Sequence, residues 1–338
     1  MTAGDEEAHT SERSEWLARH HSRWSSSPQL LHRIVRHAGV VPDRFERLVA
    51  GQANEVYSVT TAAGSDLILR VGWRPDPRFE TEAAVIGVVR RGGIPAPEVV
   101  AVGRLQEEDG PTGYILEERL SGVMLRDLVL AGGELEPVLG ELGELVAGIH
   151  QIGVQGYGNL SPDLTASHST CSQWFVDMFV ERHLPGVIGA LEGDAGAEHL
   201  VRRATELMTE QRSALDACPA RLAHGDVSPT NVLVDGGRVT GIVDWESAKG
   251  APQANDLAWW TSGTVSLARP PDVELLLRGY RRVLALEAGF WTAFRLCQLR
   301  ILMGRIGHAA DVDDVELKWR TVDQLGRMLE SPKPPLSD

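Results

Sequence analysis

The chain has 338 residues and a formal net charge of −14, which argues against a duplex nucleic-acid binder working through a basic face. Its length favours two domains or one large two-part unit, and a 43% hydrophobic share can fill sizeable cores. No run of about 18 apolar residues offers a membrane span, the acidic N-terminus lacks a signal-peptide pattern, and Cys171, Cys218 and Cys297 show neither metal nor disulfide spacing, so a cytoplasmic protein is expected.

Residues 1–27 are rich in Glu, Ser and His and read as a polar lead-in. Leu30, Leu31, Ile34 and Val35 then repeat at helical spacing, and Gly39 closes that helix. Gly51-Gln-Ala-Asn-Glu-Val-Tyr-Ser-Val59 opens with a turn and passes into a strand, and residues 66–71 form a second strand. A strand–turn–strand pair with a small-residue tip can lay backbone N–H groups over phosphates, so Gly51 and Asn54 are candidate contacts. No Gly-x-x-x-x-Gly-Lys-Ser/Thr is present, which excludes a P-loop. Residues 79–91 read as a helix with Phe79, Glu82, Ile86 and Val89 on one face. Glu82 is thus an acid on an apolar stripe and needs a partner; Arg70, near the end of the second strand, is the natural one. Residues 99–102 and 114–120 are further strands, separated by an acidic turn at 107–113.

Beyond Gly122 the pattern turns helical. Leu139, Leu142, Leu145, Val146 and Ile149 line one helix that ends at His150, a core or capping histidine. Residues 159–222 read as a helical insert. From Asp163 to Glu198 it holds Asp163, Asp177, Glu181, Glu192, Asp194 and Glu198 against Arg182 alone. That is either a solvated acidic face or a mouth for a polycationic ligand. Further helices are expected around Leu275–Tyr280, over 290–306 and over 315–329, with a loose Pro-rich tail at 332–338.

The densest stretch is His224-Gly-Asp-Val-Ser-Pro-Thr-Asn-Val-Leu-Val-Asp-Gly-Gly-Arg-Val-Thr-Gly-Ile-Val-Asp-Trp-Glu246. A polar loop is followed by an apolar run, an Asp-Gly-Gly turn and a second apolar run, which reads as loop, hairpin, loop. Folding the hairpin back can bring Asp226, Asn231, Asp244 and Glu246 together, an all-oxygen set suited to a hard cation such as Mg²⁺. A carboxylate left over can take a proton from a hydroxyl. The kinase scheme has an Asp, an Asn five residues later and a second Asp beyond a hairpin; Asp226, Asn231 and Asp244 keep that order.

His-Gly-Asp-x-x-x-x-Asn followed by Val-Asp-Trp-Glu resembles the aminoglycoside phosphotransferase and choline kinase family, with the resemblance covering roughly residues 47–285. It implies an α+β, bilobal, protein-kinase-like fold: a small antiparallel-sheet N-terminal lobe at 28–118 and a mainly helical C-terminal lobe at 119–331, with nucleotide in the cleft between them. The implied reaction moves the γ-phosphoryl group of ATP or GTP to a hydroxyl of a small molecule. Asp226 would be the base, and Asn231 and Asp244 would hold Mg²⁺, with Glu246 a further candidate. Gly51, Asn54, Arg70 and Glu82 would serve the nucleotide. Glu117, Glu118 and Leu120 would form the hinge, where backbone groups and not side chains meet the base. Asp256 would brace the catalytic loop. Arg70 departs from the family lysine; it is expected to touch phosphate, and a lysine there to restore much of that contact while losing the planar fork. The leading acceptor is an aminoglycoside or related cationic antibiotic, giving resistance by phosphorylation. Choline, another amino alcohol, a sugar, a nucleoside or a macrolide stays open, as does a nucleotide-binding pseudokinase scaffold.

Overall fold

A computed structural model describes residues 25–48, 54–72, 77–107, 110–263 and 272–331. These form two compact units. One is the chain up to Gly122 together with Gly241–Glu246; the other is Val123–Thr240 together with the chain from Ser247.

The first unit is built on five strands: β1 (Pro42–Leu48), β2 (Asn54–Thr61), β3 (Asp66–Gly72), β4 (Val99–Glu107) and β5 (Gly110–Glu118). Their order is β1-β2-β3-β5-β4, and every neighbouring pair is antiparallel. The helix Pro28–His37 starts cleanly because Ser27 Oγ accepts from the Leu30 N–H and proline occupies its first turn. It buries Leu31, Ile34 and Val35 against Tyr57, Val59, Leu67, Leu69, Val71, Tyr114 and Leu116. The second helix, Phe79–Arg91, buries Phe79, Glu82, Val85, Ile86 and Val89.

Strand β1 was not foreseen. Asp43, Arg44, Glu46 and Arg47 make it read as a solvated stretch, and charged side chains on an edge strand are how sheets discourage further pairing. The acidic turn expected at 107–113 is shorter than the sequence suggests. Gly110, Pro111, Thr112 and Gly113 already pair with Glu107, Gln106, Leu105 and Arg104, so turn-forming residue types conceal a strand.

In the second unit β6 (Val123–Met124), β10 (Val232–Asp235) and β11 (Arg238–Ile242) form one small sheet. β7 (Tyr157–Leu160), β8 (Ala166–His168), β9 (Arg221–Ala223) and β12 (Lys249–Ala251) form another, ordered β8-β7-β12-β9. The β10–β11 connection is Gly236-Gly237, both at positive φ (54° and 78°), the backbone of a two-residue hairpin that glycine adopts without strain. The remainder is helical. Glu136–His150 packs along Val273–Val283, and the 22-residue Phe290–Asp311 packs on Ala254–Gly263 and Val315–Glu330. The insert expected to be wholly helical instead opens with β7 and β8; Gly156 and Gly158, at φ 86° and 93°, made that stretch look like a loop. No helix among the described residues is long and apolar enough to cross a membrane.

Candidate active site

The loop between β9 and β10 carries Asp226 and Asn231. Asn231 is buried, and its side-chain Nδ2 donates to both the Asp226 carbonyl and Asp226 Oδ2, each at 2.9 Å. One side chain therefore fixes both the loop backbone and the direction of the Asp226 carboxylate. With the amide hydrogens engaged, Asn231 Oδ1 has no partner among the described residues, and it is the atom a cation would take. The loop is held from below by Asp256, which is 1% exposed. Its Oδ2 accepts from His224 N at 2.8 Å, its Oδ1 from Gly225 N at 2.8 Å, and His150 Nε2 lies 3.1 Å from Oδ2. His150 is fully buried, with Nδ1 2.8 Å from the Tyr280 hydroxyl. Burial by itself would raise the Asp256 carboxyl, but hydrogen bonding and charge from His150, the charge of His224 and the Gly225 N–H bring it down to about 2. Gly225 sits at φ 84°, and an added Cβ would lie 2.2 Å from the Ser247 carbonyl and 2.4 Å from Lys249 Cε. Gly225→Ala is therefore expected to destabilise the protein by more than about 1 kcal/mol and to cut turnover, measurable by thermal unfolding and steady-state kinetics.

Sequence reasoning missed Arg305 on the helix Phe290–Asp311. Its guanidinium donates to the Ser262 carbonyl and lies within electrostatic reach of Asp226. Burial lowers its proton affinity, which the Asp226 charge partly restores. Nothing in the helical periodicity distinguishes it from its neighbours.

The first unit holds a second cluster. Arg70 is 8% exposed, lies two residues before the end of β3, and has a carboxylate at each of its three nitrogens. Nε meets Glu117 Oε2 at 3.1 Å, Nη1 meets Asp244 Oδ1 at 3.3 Å, and Nη2 meets Glu82 Oε1 at 2.5 Å. The Phe79 ring lies under the guanidinium, 5.6 Å from Cζ to its centroid. Burial would lower the Arg70 pKa; Glu117, Glu82 and Asp244 reverse this and hold it well above the ordinary arginine value. Glu82 moves the other way. Its burial, with Glu117 and Asp244 nearby, outweighs Arg70 and raises its carboxyl, and its Oε2 is buried without a partner.

The Glu117 side chain is buried and paired with Arg70. Each Arg70 nitrogen meets a carboxylate, which uses three of the five guanidinium N–H groups. Sequence could not reveal this, because Glu117 reaches Arg70 only through β3–β5 register, where Ile68 opposes Glu117 and Ile115 opposes Arg70. Glu118 lies at the exposed end of β5, with its N–H bonded to the Glu98 carbonyl. Leu120 is half-buried, and its N–H has no acceptor among the described residues. Gly51 lies outside the described residues. Asn54 Nδ2 donates to Glu246 Oε2 at 2.9 Å, bringing two of the expected residues together. The segment Gly241–Glu246 is tied into this unit by Ile242 N to the Pro95 carbonyl, at 2.8 Å, and by the buried Trp245.

The donor chemistry fits Mg²⁺. Asp244 sits at φ 66° with a 40% exposed side chain, and its Oδ2 makes no bond among the described residues. In the second unit, Asn231 Oδ1 is an open oxygen donor of the same kind. No three His, Cys, Asp or Glu side chains cluster as a metal cage among the described residues. A small set of oxygen donors completed by phosphate oxygens and water is how Mg²⁺ is usually held.

Three of the six acids of the insert pair with cations, and two more accept hydrogen bonds from neutral groups. Asp177 pairs with Arg212, Glu192 with Lys318 and Glu198 with Arg202, Asp194 caps the helix Ala195–Glu210, and Asp163 accepts from Ser161 and Thr165 within its own turn. The partners Arg212, Lys318 and Arg202 lie outside the stretch whose charge was counted, so the local excess is smaller than that count.

A family model described as the phosphotransferase enzyme family (APH) matches residues 44–290. The chain belongs to that family. Among its relatives, the hygromycin-B 4-O-kinase of Escherichia coli is 25% identical over 206 residues, or 60% of this chain and 57% of that enzyme. The match thus spans less than two thirds of that relative. A thermostable mutant of aminoglycoside phosphotransferase APH(4)-Ia, solved as a ternary complex with AMP-PNP and hygromycin B, superposes with a TM-score of 0.70 at 22% identity, covering 88% of this chain and 96% of that one. Amicoumacin kinase hAmiN, in complex with AMP-PNP, Ca²⁺ and Ami, gives 0.65 at 15% identity, covering 92% and 96%. These likenesses establish the α+β protein-kinase-like fold of this chain.

Proposed function

We propose that this phosphotransferase moves the γ-phosphoryl group of ATP, or of GTP, to a hydroxyl of a small molecule. The observation that carries the reading is the Asp226 carboxylate, aimed by the Asn231 amide on a loop anchored to Asp256. Asp226 orients the acceptor hydroxyl and takes its proton as the oxygen attacks the γ-phosphorus. The bond from that phosphorus to the bridging oxygen breaks, and the nucleoside diphosphate leaves. Asn231 Oδ1 and Asp244 would hold Mg²⁺, with Glu246 a further contributor. When bound, the ion neutralises charge on the phosphate oxygens. Glu82 and Glu117 hold Arg70, Asn54 holds Glu246, and the Leu120 N–H can meet the base. Positioning and charge neutralisation supply most of the rate.

The likeness to a hygromycin-B 4-O-kinase puts an aminoglycoside first among acceptors, with antibiotic resistance as the consequence. The charge of the insert does not add to that choice. The buried free thiols Cys171, Cys218 and Cys297 suit a reducing cytoplasm. The test is a nucleotide-consumption screen against aminoglycosides, amino alcohols, sugars, nucleosides and macrolides, with mass spectrometry of products. A phosphorylated product from any hydroxyl compound supports the reaction class. Its absence across the panel, with nucleotide bound, would favour a scaffold.

Asp244→Ala is expected to abolish turnover and to weaken Mg²⁺-dependent nucleotide binding together, because one oxygen donor is lost. Calorimetric titration of Mg²⁺ against both proteins measures it. Equal dependence in both would move the metal site, with Glu246 the first place to look.

A further inference from the structure

The first unit sets three carboxylates around one guanidinium, although two would suffice for a cation shared between a helix and a metal ligand. Glu117 is the extra one. It stands on β5, diagonal to Arg70 across the β3–β5 ladder and on the same face of the sheet, because residues two apart on a strand share a face. It is 5% exposed, and its side chain pairs with Arg70 Nε and no other group among the described residues. We propose that Glu117 is a positioning residue: it fixes the direction of the Arg70 fork and, through it, the Asp244 carboxylate, which makes arginine rather than lysine the required residue at position 70. This rests on Asp244 being the metal-holding residue of the proposed function.

The geometry supports it as follows. A guanidinium is a rigid planar fork, so a bond at Nε dictates where both Nη atoms point. With Nε on Glu117 and Nη2 on Glu82, Nη1 can only project to one side, and Asp244 Oδ1 lies there at 3.3 Å. Asp244 needs such a constraint. Its backbone is left-handed at φ 66° and its side chain is 40% exposed, so its own packing does little to hold it. A lysine ammonium is a point charge on a flexible stem. It could meet Glu82, but it has no fixed fork through which Glu117 could aim Asp244, and Glu117 would be left buried and poorly paired.

The experiment titrates Mg²⁺ at fixed AMP-PNP by calorimetry, using the full chain, for wild type, Glu117→Gln, Glu117→Met, Arg70→Lys, Arg70→Lys/Glu117→Met and Asp244→Ala, with melting temperatures as a check on folding. Glutamine keeps an oxygen for Nε, so Glu117→Gln is expected to stay within about threefold of wild type in half-saturating Mg²⁺. Glu117→Met and Arg70→Lys are each expected to shift it upward by about tenfold, which corresponds to losing one charge-assisted hydrogen bond. The double mutant is expected to sit closer to wild type than the sum of the two singles, since removing Glu117 relieves the lysine of a buried unpaired acid. A residue with a merely structural role would lower the melting temperature and leave half-saturating Mg²⁺ unmoved in the folded protein. That result for Glu117→Met, or strict additivity in the double mutant, overturns the proposal. Asp244→Ala separates the two failures. If it shifts the Mg²⁺ titration while Glu117→Met does not, only the role of Glu117 is lost. If Asp244→Ala itself leaves the titration unchanged, the metal assignment beneath it fails.

Discussion

Asp226→Asn is expected to lower phosphoryl transfer by at least about 10²-fold, the lower end for loss of a general base. The substitution keeps size and shape, so the loop should survive it. The Asn231 Nδ2 bond to the Asp226 carbonyl is untouched, and an asparagine Oδ1 can still accept the second one. What disappears is proton affinity at the one atom the reaction uses. Nucleotide affinity and melting temperature should therefore stay near wild type while turnover collapses. Steady-state kinetics on whichever acceptor the screen identifies, with nucleotide binding measured in parallel, checks this. Turnover close to normal would remove Asp226 from the mechanism. A fall accompanied by unfolding would show that the residue holds the loop rather than the proton.

The second large effect is expected at Asp256, which never meets substrate in this reading. Asp256→Ala leaves the His224 and Gly225 N–H groups buried without acceptors and takes the partner from His150 Nε2. Each unsatisfied buried group costs about 1–3 kcal/mol, so a loss of several kcal/mol is expected in chemical unfolding, a large part of the ~5–15 kcal/mol typical of a protein. Activity should fall further than the folded fraction, because the loop that carries Asp226 loses its anchor. The same carboxyl gives a pH signature. Its pKa in the folded protein is depressed to about 2, below the roughly 3.9 of an unfolded aspartate. Its contribution is therefore complete above about pH 4 and is lost as pH falls through about 2. Asp256→Ala should lack that part of the acid dependence, which unfolding titrations of both proteins between those limits would reveal.

The parts of the site legible in sequence are those that local order determines. Asp226 and Asn231 are five residues apart on one loop, and the Gly236-Gly237 turn announces the hairpin that follows. The apolar stripe of Phe79–Arg91 singled out Glu82 as a buried acid in need of a cation. What remained hidden depends on partners distant in sequence. Glu117 meets Arg70 only after strand register is set, and 47 residues separate them. Glu192 is neutralised by Lys318, 126 residues away, so charge counted within the insert misjudged its field. Arg305 approaches Asp226 from a helix whose pattern is that of an ordinary core element. Strand β1 failed for the opposite reason, since its local composition points away from its true pairing with β2.

The assignment of Gly241–Glu246 to the first unit has a consequence for anyone dividing the gene. The polypeptide leaves that unit at Gly122, returns to it for six residues and leaves again. A fragment ending at Gly122 would retain Arg70, Glu82 and Glu117 but lack Asp244, the third side of the Arg70 cage, along with Trp245 and the Ile242 bond to Pro95. Swapping the amino-terminal portion between homologues by a single crossover near that point would separate co-adapted acids from their arginine. Chimaeras with two exchanged blocks, 1–122 and 241–246, should express and melt more like the parents than chimaeras with the first block alone.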